Sequence, residues 1–189
     1  KISGVIITYN EARNIGRCIA SLQDVCDEIL VLDSFSTDET EAICLQHNVR
    51  FEQNKFEGHI QQKNEALQRA THPWVLSLDA DEALTPELQA AIQEVKAQSP
   101  PKGAFKMNRL TNYCGKWIHH SGWYPDTKLR LASKADVIWG WSSSARSIAA
   151  ADSSHRPKSN STLPRLKKTS AGAPGTDELF DRHPMQPDV

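Results

Sequence analysis

The sequence predicts an α/β protein built on a doubly wound, mostly parallel sheet, followed by a tail without regular structure. Three observations lead there. Over residues 1–140, short apolar runs of strand length alternate with stretches whose apolar residues recur at helical spacing. Three of the runs stop abruptly at polar clusters, as strands do at the ligand-bearing edge of an open α/β sheet. Beyond residue 140 this pattern ceases: the last 49 positions hold nine Ser, five Pro and two Gly, with few large apolar residues. Such a stretch cannot bury enough surface to offset the entropy of ordering it. The predicted organisation is one domain over 1–140 and a low-complexity, disordered tail over 141–189.

The elements follow in order. Val5-Ile6-Ile7 is a short apolar run suited to a strand covered on both faces. Ile15, Cys18, Ile19 and Leu22 then recur at helical spacing, with Asn10 as the expected cap. Glu28–Leu32 is a second strand ending at Asp33, and Ser36-Thr37-Asp38-Glu39 has the spacing of a capping box for the next helix. That helix carries Thr40, Ile43, Cys44 and, at its surface, His47. Val49-Arg50-Phe51 is a third strand, and Ile60, Asn64, Leu67 and Ala70 mark another helix. Trp74–Leu78 is a fourth strand ending at Asp79. Thr85-Pro86 places a cap and an N1 proline before a helix with Leu88, Ala91, Ile92 and Val95 inside. Gly103–Met107 reads as a strand and the chain after it as irregular and rich in aromatics.

Charge and cysteine content narrow the function classes. Lys plus Arg number 22 against 23 Asp plus Glu, which argues against an electrostatic nucleic-acid binder. No run approaches the roughly 18 to 20 apolar residues of a membrane span, and the first eight residues turn polar too soon for a signal peptide. Cys18, Cys26, Cys44 and Cys114 form no CxxC pair, so free thiols in a reducing compartment are expected. No Cys/His grid marks a structural zinc site.

Chemistry is expected where the strands end. The first run gives Thr8-Tyr9-Asn10-Glu11, the second Asp33–Asp38, the fourth Asp79-Ala80-Asp81-Glu82. Asp79 and Asp81, two residues apart past a strand, can address a hard divalent ion such as Mg²⁺ or Mn²⁺ and the phosphates it carries. The bland alternative is a solvated acidic turn. Asp33 can accept from a base or ribose, or help to cap the Ser36 helix. Glu11 can face a nucleoside or favour a helix start. Lys63 sits among the apolar positions of its helix, where it meets a phosphate or snorkels from a half-buried face. Trp117, Trp123 and Tyr124, around His119-His120-Ser121-Gly122, form either a sugar-stacking platform or a cluster under a loop.

Together these residues resemble the family 2 glycosyltransferases, which have the nucleotide-diphospho-sugar transferase (A-type) fold, a Rossmann-like sheet. Thr8-Tyr9-Asn10-Glu11 resembles the family's T-x-N-E motif, Asp33–Thr40 its D-S-x-S-x-D-x-T motif, and Asp79–Glu82 its D-x-D-E motif. The string His120–Asp126 is similar to bacterial enzymes that add glucose to the inner core of lipopolysaccharide. The resemblance implies inverting transfer of a hexose, glucose above all, from a UDP-sugar to a saccharide or lipid-linked saccharide acceptor. The setting it implies is the cytoplasm or the cytoplasmic face of the inner membrane, with peripheral membrane association. It implies that Thr8, Tyr9, Glu11, Asp33, Lys63 and Asp79 bind the nucleotide, Asp33 at the uracil. It implies that Asp81, with Asp79, holds a divalent metal.

The pattern breaks after Leu129-Arg130-Leu131 and Trp139-Gly140, where the family places the carboxylate that acts as base. Here no carboxylate follows until Asp152. The expectation is therefore a truncated or frameshifted transferase, with Asp126 as the substitute candidate for the base. The alternatives are a UDP-binding remnant without turnover and, more remotely, a metal-dependent phosphatase of the haloacid-dehalogenase type, whose strand-D-x-D start Val75–Asp81 resembles.

Overall fold

The computed structural model describes residues 1–98, 104–140, 145–147 and 160–169. In chain order its elements are β1 (Ile2–Thr8), α1 (Ile15–Leu22), β2 (Glu28–Asp33), α2 (Thr40–Gln46), β3 (Arg50–Gln53), α3 (His59–Arg69), β4 (Trp74–Asp79), β5 (Glu82–Leu84) and α4 (Pro86–Ala97). There follow β6 (Ala104–Tyr113), β7 (Lys116–Ile118), β8 (Asp126–Ser133), β9 (Val137–Trp139), β10 (Ala145–Ser147) and β11 (Asn160–Thr169).

One large sheet runs β3-β2-β1-β4-β8-β6-β11-β5, with β7 paired to β6. Its first four strands are parallel, as the repeated βα units predict. β1 is flanked by β2 and β4 and covered on both faces, so almost every residue in it is buried. Neighbouring residues face opposite layers. Ile6 joins a core with Ile15, Ile19, Leu22, Leu88 and Ile92, from α1 and α4. Val5 joins a second core with Ala66 and Leu67 of α3.

The parallel register carries the functional edge. Thr8 lies opposite Asp33, and Ile7 opposite Asp79. Three strand ends far apart in sequence thus meet side by side.

Several local expectations are corrected. Asn10 does not cap α1: it has a left-handed backbone (φ 52°), and the cap position is Asn14. Ser36 does not open α2 through a capping box, because the helix starts at Thr40 with no side-chain cap. Thr85 does cap α4, accepting from the Leu88 amide at 3.3 Å, with Pro86 next. The chain after Met107 is not irregular. It completes β6, forms β7, and returns as β8, which inserts antiparallel between β4 and β6. Beyond residue 140, Ala145–Ser147 pairs with β9 and Asn160–Thr169 with β6 and β5. The rest of the predicted tail lies outside the described residues.

Candidate active site

A cavity of about 880 Å³ opens at the carboxyl ends of β1, β2 and β4, with α3 as its far wall. Thr8, Tyr9, Glu11, Lys63, Asp79 and Asp81 all line it, joined by Ser34, Phe56, His59 and Gln62. Six of the sequence-predicted residues are therefore brought together, and Asp33 and Asp126 are not in its wall.

The loops after β1 and β2 are stitched to each other. The Thr37 amide donates to Asn10 Oδ1 at 2.8 Å and the Asn10 amide to Ser36 Oγ at 2.8 Å. The Glu11 amide donates to Thr40 Oγ1 at 2.9 Å, and the Ala12 amide to Asp38 Oδ2 at 3.1 Å. The short polar residues of both motifs thus fix one loop against the other. Asp33 is part of this scaffold. It is fully buried, accepting from the Ser36 amide at 2.8 Å and from the Ser36 hydroxyl. The carboxylate thus holds Ser36 within its own turn, the local role that the sequence offers beside a contact with a base. Thr8 is different. It is buried, and its Oγ1 has no hydrogen-bond partner although the residue lines the cavity. Buried hydroxyls are normally satisfied, so this one is poised for a ligand.

Lys63 is aimed by the helix that carries it. Gln62, one residue earlier, donates to Ser34 Oγ at 3.2 Å and accepts from Asn54 at 2.9 Å. Asn64, one residue later, clasps the Trp139 backbone, donating to its carbonyl at 3.1 Å and accepting from its amide at 2.8 Å. Between them, Lys63 Nζ pairs with Asp79 Oδ1 at 2.7 Å and stands 4.9 Å over the Trp139 ring. Burial, and then the Arg130 charge, hold the amine below its usual value despite Asp79.

Asp79 is held from the other side as well: Arg130 donates to its Oδ2 at 3.0 Å. Arg130 also donates to Glu82, which is fully buried and accepts from the Asp79 amide at 3.1 Å. Burial works against the Arg130 charge, but Glu82 and Asp79 outweigh it and hold the guanidinium above its ordinary value. Glu82 is pushed up, by burial first, with Arg130 opposing. Each oxygen of Asp79 thus faces a cation, and Asp81 lies beside it in the cavity wall. Among the described residues no cluster of three or more His, Cys, Asp or Glu is placed to hold an ion. A Mg²⁺ or Mn²⁺ here fits the mode in which one carboxylate and the substrate's phosphates supply the oxygens.

Asp126, the substitute candidate for the base, is engaged by two cations. Its Oδ2 accepts from Arg109 Nε at 2.8 Å and its Oδ1 faces Lys128 Nζ at 2.8 Å. Desolvation opposes its charge, but Lys128 and Arg109 prevail and hold the carboxyl below the usual range. Arg130 and Glu82 were not singled out from the sequence. The alternation Leu129-Arg130-Leu131 was the available signal, since a cation at an inward position of a strand implies a buried partner.

Residues 3–144 match the model described as Glycosyl transferase family 2. The chain belongs to this family. Among its family 2 relatives, an uncharacterised glycosyltransferase of Rickettsia felis is 42% identical over 97 residues, covering 51% of this chain and 34% of that protein. The lipopolysaccharide core biosynthesis glycosyltransferase LpsC of Rhizobium meliloti is 37% identical over 103 residues, covering 52% and 38%. The chain thus spans little more than a third of the length of these curated relatives. The structure of S. aureus TarS 1–349 in complex with UDP-GlcNAc superposes with a TM-score of 0.50 at 20% identity, over 71% of this chain and 46% of that one. That likeness supports the fold, and family 2 membership sets aside the phosphatase reading.

Proposed function

We propose that this chain binds a UDP-sugar in the cavity and transfers its hexose, with inversion, to a saccharide hydroxyl. The observation that carries this is the register that sets the ends of β1, β2 and β4 together, so that the unpartnered Thr8 hydroxyl, the Lys63 cation and Asp81 share one cavity. The nucleoside lies against Thr8 and Tyr9, with Glu11 at the ribose. The diphosphate lies between Lys63 and Asp81. The likeness to the lipopolysaccharide core biosynthesis glycosyltransferase LpsC favours a cell-envelope saccharide as the acceptor, and glucose is the hexose taken forward from the motif resemblance. A lipid-linked acceptor would bring the chain to the cytoplasmic face of a membrane. No helix among the described residues is long and apolar enough to cross one.

The chemistry follows from charge. As the bond to the anomeric carbon breaks, negative charge grows on the departing diphosphate. A divalent ion held by Asp81 would neutralise part of that charge. Lys63 supplies the rest from the protein. Its position is set by Asp79, which Arg130 holds at its second oxygen. A carboxylate base is still needed for the attacking hydroxyl. Because Asp126 is held by two cations, a second reading has support: a nucleotide-binding domain that does not turn over.

Calorimetry with UDP and Mn²⁺ tests the first part: Mn²⁺-dependent binding is expected in the wild type and its loss in Asp81→Asn. A coupled UDP-release assay with UDP-glucose and a saccharide acceptor separates transfer from binding alone. Wild-type protein that fails to bind UDP with Mn²⁺ present overturns both readings.

A further inference from the structure

The aromatic segment between β6 and β8 is not used by the donor site. Tyr113 is 54% and Trp123 46% exposed, yet the two rings pack edge to face at a centroid distance of 5.8 Å. Neither belongs to either buried core cluster. A second pair, His119 and Tyr124, stands at 6.1 Å. The loop is held in shape: Asn112 is buried and its side chain accepts from the Gly115 amide at 3.0 Å, and the Trp123 amide donates to the His120 carbonyl at 3.2 Å. Two large rings fixed in place and left half open to water form a recognition surface, because burying them elsewhere would be favourable by itself.

Its place in the fold says what it faces. β8 is antiparallel to β4, so its first residues lie at the end of the sheet where β4 delivers Asp79 and Asp81. A continuous line of charges leads from the donor cavity to this edge. Asp79 pairs with Arg130, Arg130 with Glu82, Glu82 with Arg109 and Arg109 with Asp126. Tyr113 lies four residues beyond Arg109 on β6, a distance of about 13 Å at strand rise. The rings therefore stand beyond Arg109 at the same edge of the sheet as the cavity.

The geometry points to the Tyr113–Trp123 pair as a platform for the acceptor glycan, taking a neutral pyranose ring set back from the ring that is glycosylated. The flat face of such a ring carries C–H groups that pack on an aromatic face, while its hydroxyls keep their water or reach His119, His120 and Ser121 at the edge. This rests on the transferase reading above and deepens it. The acceptor is an oligosaccharide rather than a single sugar, and its length is sensed at this pair.

The test uses the full chain, with a delipidated lipopolysaccharide core oligosaccharide as probe. Binding of the oligosaccharide and of UDP–Mn²⁺ is measured by calorimetry in parallel. The expected result is saturable oligosaccharide binding in the wild type. Affinity should fall about tenfold or more in Trp123→Ala and be largely restored in Trp123→Phe, with UDP affinity unchanged in both variants. Wild-type protein that binds UDP but not the oligosaccharide overturns the platform while leaving the donor reading intact. Equal oligosaccharide affinity in Trp123→Ala overturns it as well. So does concentration-dependent self-association lost in Trp123→Ala without oligosaccharide binding, which would make the rings an interface between copies. If UDP is not bound, the donor reading has failed as well; saturable oligosaccharide binding lost in Trp123→Ala would then still uphold the platform as a glycan site.

Discussion

Replacing Arg130 by methionine removes the cation that holds Asp79 and Glu82 together. The side chain is 3% exposed and its partner Glu82 is fully buried. After the change Glu82 keeps the Asp79 amide at 3.1 Å and Arg109 at 3.5 Å, so its charge is weakened in support but not abandoned. Removing one member of a buried pair costs about 3–5 kcal/mol. With Arg109 still near, the lower end is expected, about 3 kcal/mol, or a fall in melting temperature of roughly 10 °C. The loss should depend on pH. A carboxyl whose pKa is raised in the folded state above its ordinary 4.5 resists ionisation there and weakens the fold at higher pH. In Arg130→Met that resistance grows, so the deficit should be largest near pH 8 and shrink as the pH falls towards 4.5. Urea melts of both proteins at pH 5 and pH 8 measure it. A deficit below about 1 kcal/mol, the range of an exposed ion pair, or one that does not change with pH, would refute the claim that Glu82 is a buried charge dependent on Arg130.

Other consequences can be checked separately. Glu28 is held down at about 2: burial opposes its charge, but hydrogen bonds from Ser3, Thr71 and Arg50 outweigh it. Glu28→Gln should therefore lose roughly 2–3 kcal/mol at pH 7, and denaturant melts should show the gap closing as the pH falls from 4.5 towards 2. Asp126→Asn should leave transfer, if present, within about threefold of wild type in the UDP-release assay, since a carboxylate held by two cations is a poor base; loss of a hundredfold would restore Asp126 as the base. Cys114 is exposed and Cys18 buried, while burial pushes the Cys26 and Cys44 thiols up to about 12. Titration with a thiol reagent should therefore find one fast cysteine in the native protein and four after unfolding.

The first half of the fold was legible because parallel strands buried on both faces are written as short apolar runs, and α4 because Thr85-Pro86 carries its own start signal. The second half was not, for a physical reason. β8 puts Arg130 in the interior and pairs it with Glu82, so a charged letter stands where a hydrophobic one is expected. The site was legible in its membership and less so in its roles. Spacing placed Thr8, Asp79 and Asp81 at one edge and left Lys63, on its helix, between a phosphate contact and a snorkelling role. It left Asp33 between a ligand contact and a capping role at Ser36, and it gave no hint that Asp79 would be flanked by two cations. That outcome depends on Lys63 and Arg130, supplied by other parts of the chain. The misplaced Asn10 cap has the same origin: its side chain is taken up by the Thr37 amide of the neighbouring loop.

The clasp between Asn64 and the Trp139 backbone sets a lower limit on any minimal donor-binding fragment. A polypeptide cut at residue 136 would retain every residue of the three strand-end motifs, and by sequence it would look intact. It would lack the indole beneath the Lys63 amine and both bonds that fix the neighbouring turn of α3. An excised domain or a fusion junction must therefore keep Trp139, and keeping β11 between β6 and β5 moves it beyond Thr169.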